Sequence, residues 1–229
     1  MQANDSIKKT ASSCPVSMVV DGKTLELVTS YKYLGVWITS DLNWAKQIEV
    51  NCKSANQKIG MLYRRFYEHC STDTLRCLYV AFVRPHLEYA VPVWDPHLIK
   101  HTESLEKVQK FALKVCTKSW DSSYNCLLSQ TDLPRLDQRR VQLKLSFLYQ
   151  LINSLTFCPH APVCFRNVPV NVRNNNPLLL ARPICRTNSH YYSFYPHAIS
   201  LWNDLPHSIT SATSLYSFKR NLNQYLSLL

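Results

Sequence analysis

Glycine is almost missing from this chain: only Gly22, Gly35 and Gly60 occur among 229 residues. A glycine-rich phosphate loop needs several glycines within a few positions so that the backbone can approach the anion, and these three lie far apart. Enzymes built on such a loop are therefore excluded. Acidic residues are also sparse, with 15 Asp plus Glu against 26 Lys plus Arg, and no two of them are adjacent. Beyond Glu106 only Asp121, Asp132, Asp137 and Asp204 remain. Paired neighbouring carboxylates of the kind that seat catalytic metal ions are thus absent from the sequence. No apolar run is long enough to cross a bilayer, and Lys8-Lys9 is followed by no apolar stretch, so neither a membrane span nor a secretory leader is expected. Tight Cys-x-x-Cys pairs are lacking too. The nine cysteines are odd in number and scattered, which points to free, mostly buried thiols in a reducing, intracellular setting, cytoplasmic or nuclear.

What is present is a hydrophobic content of 46%, enough for a real core in one domain or two small ones, and a net charge of +11. Such a charge suits a polyanionic partner, although a solvated basic face reads the same way. Residues 1–15 are polar and small, a disordered N-terminus. Val16 to Val20 and Thr24 to Val28 flank Asp21-Gly22-Lys23 and read as a β-hairpin, because Asp-Gly supplies the positive φ such a turn requires. Tyr31 to Ile38, rich in β-branched and aromatic residues, reads as the next strand of a small sheet. From Asn43 to about Glu68, Trp44, Ile48, Cys52, Ala55, Ile59, Leu62 and Phe66 form one helical stripe. Asp41 or Asn43 would cap it, and Lys46, Lys53, Lys58, Arg64 and Arg65 fall outside the stripe. A second helix starts at Ser71-Thr72-Asp73 and is kinked or ended by Pro85. A third carries Leu105, Val108, Phe111, Ala112 and Val115 together with Lys107, Lys110, Lys114 and Lys118, and the three suggest an antiparallel bundle.

Asp132-Leu133-Pro134 reads as the start of a helix through Leu136 to Ile152, too leucine-rich for one stripe and so buried on two sides, with Arg135, Arg139, Arg140 and Lys144 in its first half. Between Phe157 and Tyr192, prolines and Asn174-Asn175-Asn176 mark a basic linker or arm. Arg166, Arg173, Arg182 and Arg186 lie along it, and Tyr191, Tyr192, Phe194 or Tyr195 would either stack on bases or strap the arm onto the preceding helices. Two short helices close the chain, one bearing Phe194, Ala198, Ile199 and Trp202, the other capped by Thr213 or Ser214 and bearing Leu215, Phe218, Leu222, Tyr225 and Leu226. Cys158-Pro159-His160 with Cys164 and Cys185 is a metal candidate that lacks zinc-site spacing, so free thiols are the preferred reading. No spacing of histidines with serines or cysteines supports a hydrolase.

Asp21-Gly22, then Tyr31-Lys32-Tyr33-Leu34-Gly35-Val36 and Leu42 with Trp44, resemble the late reverse-transcriptase segment of LINE-type, jockey-like non-LTR retrotransposons. Further matches keep the family's order. They are Leu78-Tyr79 with Pro85, Leu87, Tyr89 and Val93-Trp94; Leu105-Glu106-Lys107-Val108-Gln109-Lys110; and Leu201-Trp202-Asn203-Asp204-Leu205-Pro206 with Phe218-Lys219. The resemblance implies the end of the palm at residues 16–40, a thumb-like bundle at 41–120, a helical C-terminal region at 121–156, the linker at 157–192 and closing helices at 193–229. It implies an α+β fold, predominantly α. It also implies that Tyr33, Leu34 and Gly35 match a primer grip, with Lys32 beside them. By extrapolation from their charge, since the family motif does not fix these positions, Lys46, Lys53, Arg64, Arg139 and Arg140 are candidate phosphate contacts for an RNA/DNA or RNA duplex. The family's Asp-Asp hairpin, which holds Mg2+ in the full-length enzyme, is absent here, so no catalysis is expected of this chain and no cofactor. Other implied partners are the missing palm or another protein, and the alternative is a domesticated interaction module or the product of a decayed element.

Overall fold

The computed structural model describes residues 18–158, 163, 165 and 178–228. The fold is α+β and predominantly α. Two separate antiparallel hairpins lead: β1 (Val19–Val20) with β2 (Lys23–Thr24), and β3 (Ser30–Tyr33) with β4 (Val36–Thr39). Asp21 and Gly22 take φ of 48° and 74°, the turn that Asp-Gly favours. The expected single strand from Tyr31 to Ile38 is instead broken in its middle. Leu34 and Gly35 take φ of 45° and 85°, fold the chain back, and set Lys32 opposite Trp37 and Tyr33 opposite Val36.

Helix α1 (Ala45–Phe66) follows the expected stripe, burying Ile48, Ala55, Ile59 and Leu62. Its start is fixed in relay: Asp41 Oδ1 accepts from the Asn43 amide at 3.1 Å and Asn43 Oδ1 from the Ala45 amide at 2.8 Å. Helix α2 (Thr72–Leu78) is capped by Ser71, whose hydroxyl accepts from the Thr74 amide. It runs through a π-helical turn (Tyr79–Val83) into α3 (Arg84–Glu88). Pro85 therefore neither ends the helix nor leaves it regular, because the widened turn accommodates a ring that would otherwise strike the carbonyl four residues back. A single turn, α4 (Val91–Trp94), leads to α5 (Ile99–Thr117).

Helix α6 (Tyr124–Thr131) ends at Asp132 in the left-handed region. Asp132 thus closes one helix rather than opening the next, and α7 (Leu136–Ile152) begins after Pro134. The C-terminal part adds α8 (Asn188–Tyr191), α9 (Phe194–Asn203), α10 (His207–Thr210) and α11 (Leu215–Ser227), the last capped by Ser214. Two hydrophobic clusters result. One is built on α1 to α6 around Tyr79, Leu87, Trp94, Leu105 and Leu113; the other joins Leu145, Leu148 and Tyr149 of α7 to Ile199, Trp202, Phe218 and Leu222. Helix α7 is buried on two sides because it belongs to both.

Many residues that carry the retrotransposon resemblance lie inside. Glu106 is buried, accepting from the Asp137 amide at 2.8 Å and from the Tyr124 hydroxyl, while Gln109 accepts from Tyr79 Oη at 2.7 Å and donates to the Pro134 carbonyl at 2.9 Å. The Trp-Asn-Asp run on α9 clips down the end of the arm. Trp202 Nε1 donates to the Leu178 carbonyl, the Asn203 amide brackets the Leu180 backbone at 2.9 and 3.0 Å, and Asp204 pairs with Arg182 at 3.3 Å. Of the expected arm, Arg166, Arg173 and Asn174 to Asn176 lie outside the described residues, as do residues 1–15.

Candidate nucleic-acid interface

The β3–β4 turn is seated on Tyr89. Tyr89 Oη donates to the Leu34 carbonyl at 2.9 Å, and a Cβ on Gly35 would stand 3.3 Å from the Tyr89 ring. With its φ of 85°, Gly35 is thus a position where another residue meets both backbone strain and a ring. Lys32, Tyr33 and Leu34 are exposed. The hairpin is fastened to α1 by the Trp37 amide donating to Gln47 Oε1 at 2.8 Å, and by Lys46, whose Nζ donates to Ser30 Oγ at 2.7 Å and stands 3.8 Å above the Trp37 ring. Lys46 is half-buried and spends part of its donor capacity holding the hairpin strands to α1, a tether rather than the free phosphate contact expected of it.

Lys53 and Arg64 are exposed, and helical spacing puts Lys46, Lys53 and Arg64 in one row directly opposite the buried stripe of α1. At ~1.5 Å rise per residue, that row extends over roughly 27 Å. Gly60 lies in the same row, and Arg64 Nη1 lies 3.5 Å from where a Cβ there would sit. Glu49 flanks the row on its outer side.

The other two predicted contacts are elsewhere. Arg139 forks onto Glu88, Nε to Oε1 and Nη2 to Oε2 both at 2.9 Å, and Glu88 also meets Arg84 at 3.5 Å. Arg140 is 3% exposed and pairs with Asp95 Oδ1 at 2.8 Å. Both were expected to meet phosphate and are corrected by this geometry: α7 is packed on two sides, so cations on it turn inward to carboxylates on other helices. Lys144, 2% exposed, shares Asp95 and also contacts His197 Nδ1 at 2.8 Å. One carboxylate thus faces two cations, and Arg140 Nη1 is buried with no hydrogen-bond partner among the described residues. Burial pushes the Lys144 pKa down despite Asp95. Burial, with Lys144 next to it, holds His197 down at about 4.

The aromatics offered for stacking have neighbours within the chain, although Tyr191 and Tyr192 remain exposed. Tyr192 lies flat on His97 with centroids 4.4 Å apart, and Phe194 packs against Phe147 at 5.3 Å. Among the described residues no group of three or more His, Cys, Asp or Glu converges as a metal site, and no helix is long and apolar enough to cross a membrane. Lys107, Phe111 and Lys114 of α5 and Lys118 at its end were expected on a helix but given no contact role, and Trp120, which follows that helix, was not singled out. The lysine spacing was readable, but nothing in the Ser-Trp-Asp-Ser setting of Trp120 marked it. No protein-family model matches this sequence, and comparison with curated proteins and with solved structures gives no match.

Proposed function

We propose that this chain is a non-catalytic nucleic-acid-binding fragment related to the end of the palm, the thumb and the C-terminal region of a LINE-type reverse transcriptase. On this reading it works inside the cell and holds an RNA/DNA or RNA duplex along the outer side of α1, with the Tyr33 to Gly35 turn against the strand end. The observation that carries the reading is the row opposite the buried stripe, in which Lys53 and Arg64 are exposed and Lys46, at the N-terminal end, ties the β3–β4 hairpin to α1. Phosphates spaced along a duplex meet such a row without base contacts, so recognition is by backbone and indifferent to sequence. With no paired carboxylates to hold magnesium, polymerisation requires the catalytic aspartates of a full-length enzyme.

A second reading is supported by the two hairpins, where Val19, Val20, Leu25, Leu27 and Leu34 are exposed. Apolar groups grouped in this way suit a protein partner, either a palm domain or another protein, or are a liability in the product of a decayed element. Titration of an RNA/DNA hybrid across salt separates the readings. Counterion release makes log Kobs fall with log salt at ~0.9 per phosphate neutralised, so the two exposed cations Lys53 and Arg64 give a slope near −2. An affinity unchanged between low and physiological salt overturns duplex binding and favours the protein partner.

A further inference from the structure

Four aromatic rings and a set of cations meet where α1 and α5 end. Centroids of Tyr63 and Tyr67 lie 4.7 Å apart, Trp120 stands edge-on to Tyr63 at 6.3 Å, and Phe111 lies 6.2 Å from Trp120. The Trp120 Nε1–H donates to Tyr67 Oη at 3.1 Å, which fixes the indole. Despite these contacts Tyr63, Phe111 and Trp120 are 46%, 42% and 40% exposed. Lys118 Nζ stands 5.4 Å over the Tyr67 ring, placed there by a helix end whose φ of 57° glycine would adopt without strain. A cleft of about 250 Å3 opens beside the rings, lined by Tyr63, Tyr67, Arg64, Arg65 and His69, with Glu68 on its wall.

We propose that this end of the molecule takes an unpaired nucleotide from a single-stranded extension of the duplex held by α1, an inference that rests on the duplex-binding reading above. Inside a duplex every base is covered by its neighbours. Only an unpaired base has free π-faces to offer Tyr63, Trp120 and Phe111, and stacking of this kind tolerates any base. Charge fits the same ligand. Arg64 and Arg65 line the cleft with Glu68, Lys118 stands over Tyr67, and Lys107 and Lys114 neighbour Phe111 at helical spacing. A protein-docking patch would be poor in lysine at its centre, so the cations favour nucleic acid over a protein partner. Position agrees as well, because Tyr63 adjoins Arg64, the last cation of the α1 row, and a duplex lying along that row delivers its end here.

The test uses the full chain and fluorescence anisotropy with two probes, a blunt RNA/DNA hybrid and the same hybrid carrying a short oligo-U extension. The extension is expected to raise affinity by roughly 10-fold, the effect of one stacked base. Trp120→Ala is expected to erase that gain and leave blunt-hybrid binding unchanged, and Trp120→Phe to restore most of it. Should Trp120→Ala lower the melting temperature, Phe111→Ala supplies the same comparison from the rim of the platform. Equal binding of the two probes by the unaltered protein overturns the nucleotide platform while leaving duplex binding intact. Failure to bind either probe overturns both. Equal losses on the two probes in Trp120→Ala also overturn the platform, since the ring would then serve the structure alone.

Discussion

On α1, Lys53 and Arg64 stand in water opposite the buried stripe; on α7, Arg139, Arg140 and Lys144 turn inward onto Glu88 and Asp95. The two helices carry cations at similar density, so charge alone does not separate them. What does is the number of packed sides. Helix α1 has one apolar stripe and leaves its far side to solvent, whereas α7 belongs to both hydrophobic clusters and has no comparable free side. A cation on a doubly packed helix is stable only with a carboxylate to meet it, and here both carboxylates come from around α3 and α4, far back in the chain.

The sharpest way to break this comparison is to remove the carboxylate shared by two buried cations. Asp95→Ala strands Arg140 and Lys144, and breaking a buried pair in this manner costs about 3–5 kcal/mol. The expected result is a melting temperature lower by roughly 10 °C or more, or an equivalent fall in urea midpoint. Lys144→Met is the informative companion. It removes the surplus cation, leaves Asp95 to Arg140, and is expected to be near neutral or mildly stabilising. A loss under about 1 kcal/mol in Asp95→Ala would mean that water reaches both cations and that α7 is no different from α1.

A smaller effect comes from the histidine at the edge of the same cluster. The native pKa of His197 is about 4, below the ordinary 6.5, through burial first and the neighbouring Lys144 ammonium second, so the native state keeps the ring neutral while the unfolded chain protonates it. Between pH 6.5 and about 4 the unfolded state therefore binds more protons, and stability falls as pH drops through that window. The slope is at most about 1.4 kcal/mol per pH unit, reduced by the water that still reaches the half-buried ring. Urea unfolding at pH 6.5 and pH 4.5 of the native protein and His197→Gln reads it, and a pH dependence identical in the two proteins would remove His197 from the account.

The parts of this fold that sequence predicted well are those decided within a few residues. The α1 stripe, the Ser71 and Ser214 caps, the Asp21-Gly22 turn and the two-sided burial of α7 follow from periodicity and cap chemistry that act locally. Legibility failed where one local preference served two ends or where a distant partner decided. Asp132 suits a helix start and also a left-handed helix end, and packing of α6 on α5 selected the second. Leu34 enters the positive-φ region in a turn seated by Tyr89, some fifty residues away. Arg140 looked like a surface cation because Asp95, which draws it in, is invisible from its neighbourhood. The candidate interface was half legible: the α1 row and the lysines of α5 could be read, and Trp120 could not, because it takes its meaning from Tyr63 and Tyr67 on another helix.

The smallest expected change in stability belongs to α1 and completes the comparison from the other side. Lys53→Ala and Arg64→Ala remove solvated cations that have no carboxylate partner among the described residues, so each is expected to alter stability by no more than about 0.5 kcal/mol. If the row meets phosphate, each substitution flattens the salt dependence of hybrid binding by ~0.9 in slope, and the double variant by about twice that. A neutral substitution in stability that is costly in binding has a different origin from Asp95→Ala, where folding itself is lost. A salt slope left unchanged by the double variant would show that the cations of α1, although free, hold nothing, and freedom from internal partners would then be no guide to where the ligand lies.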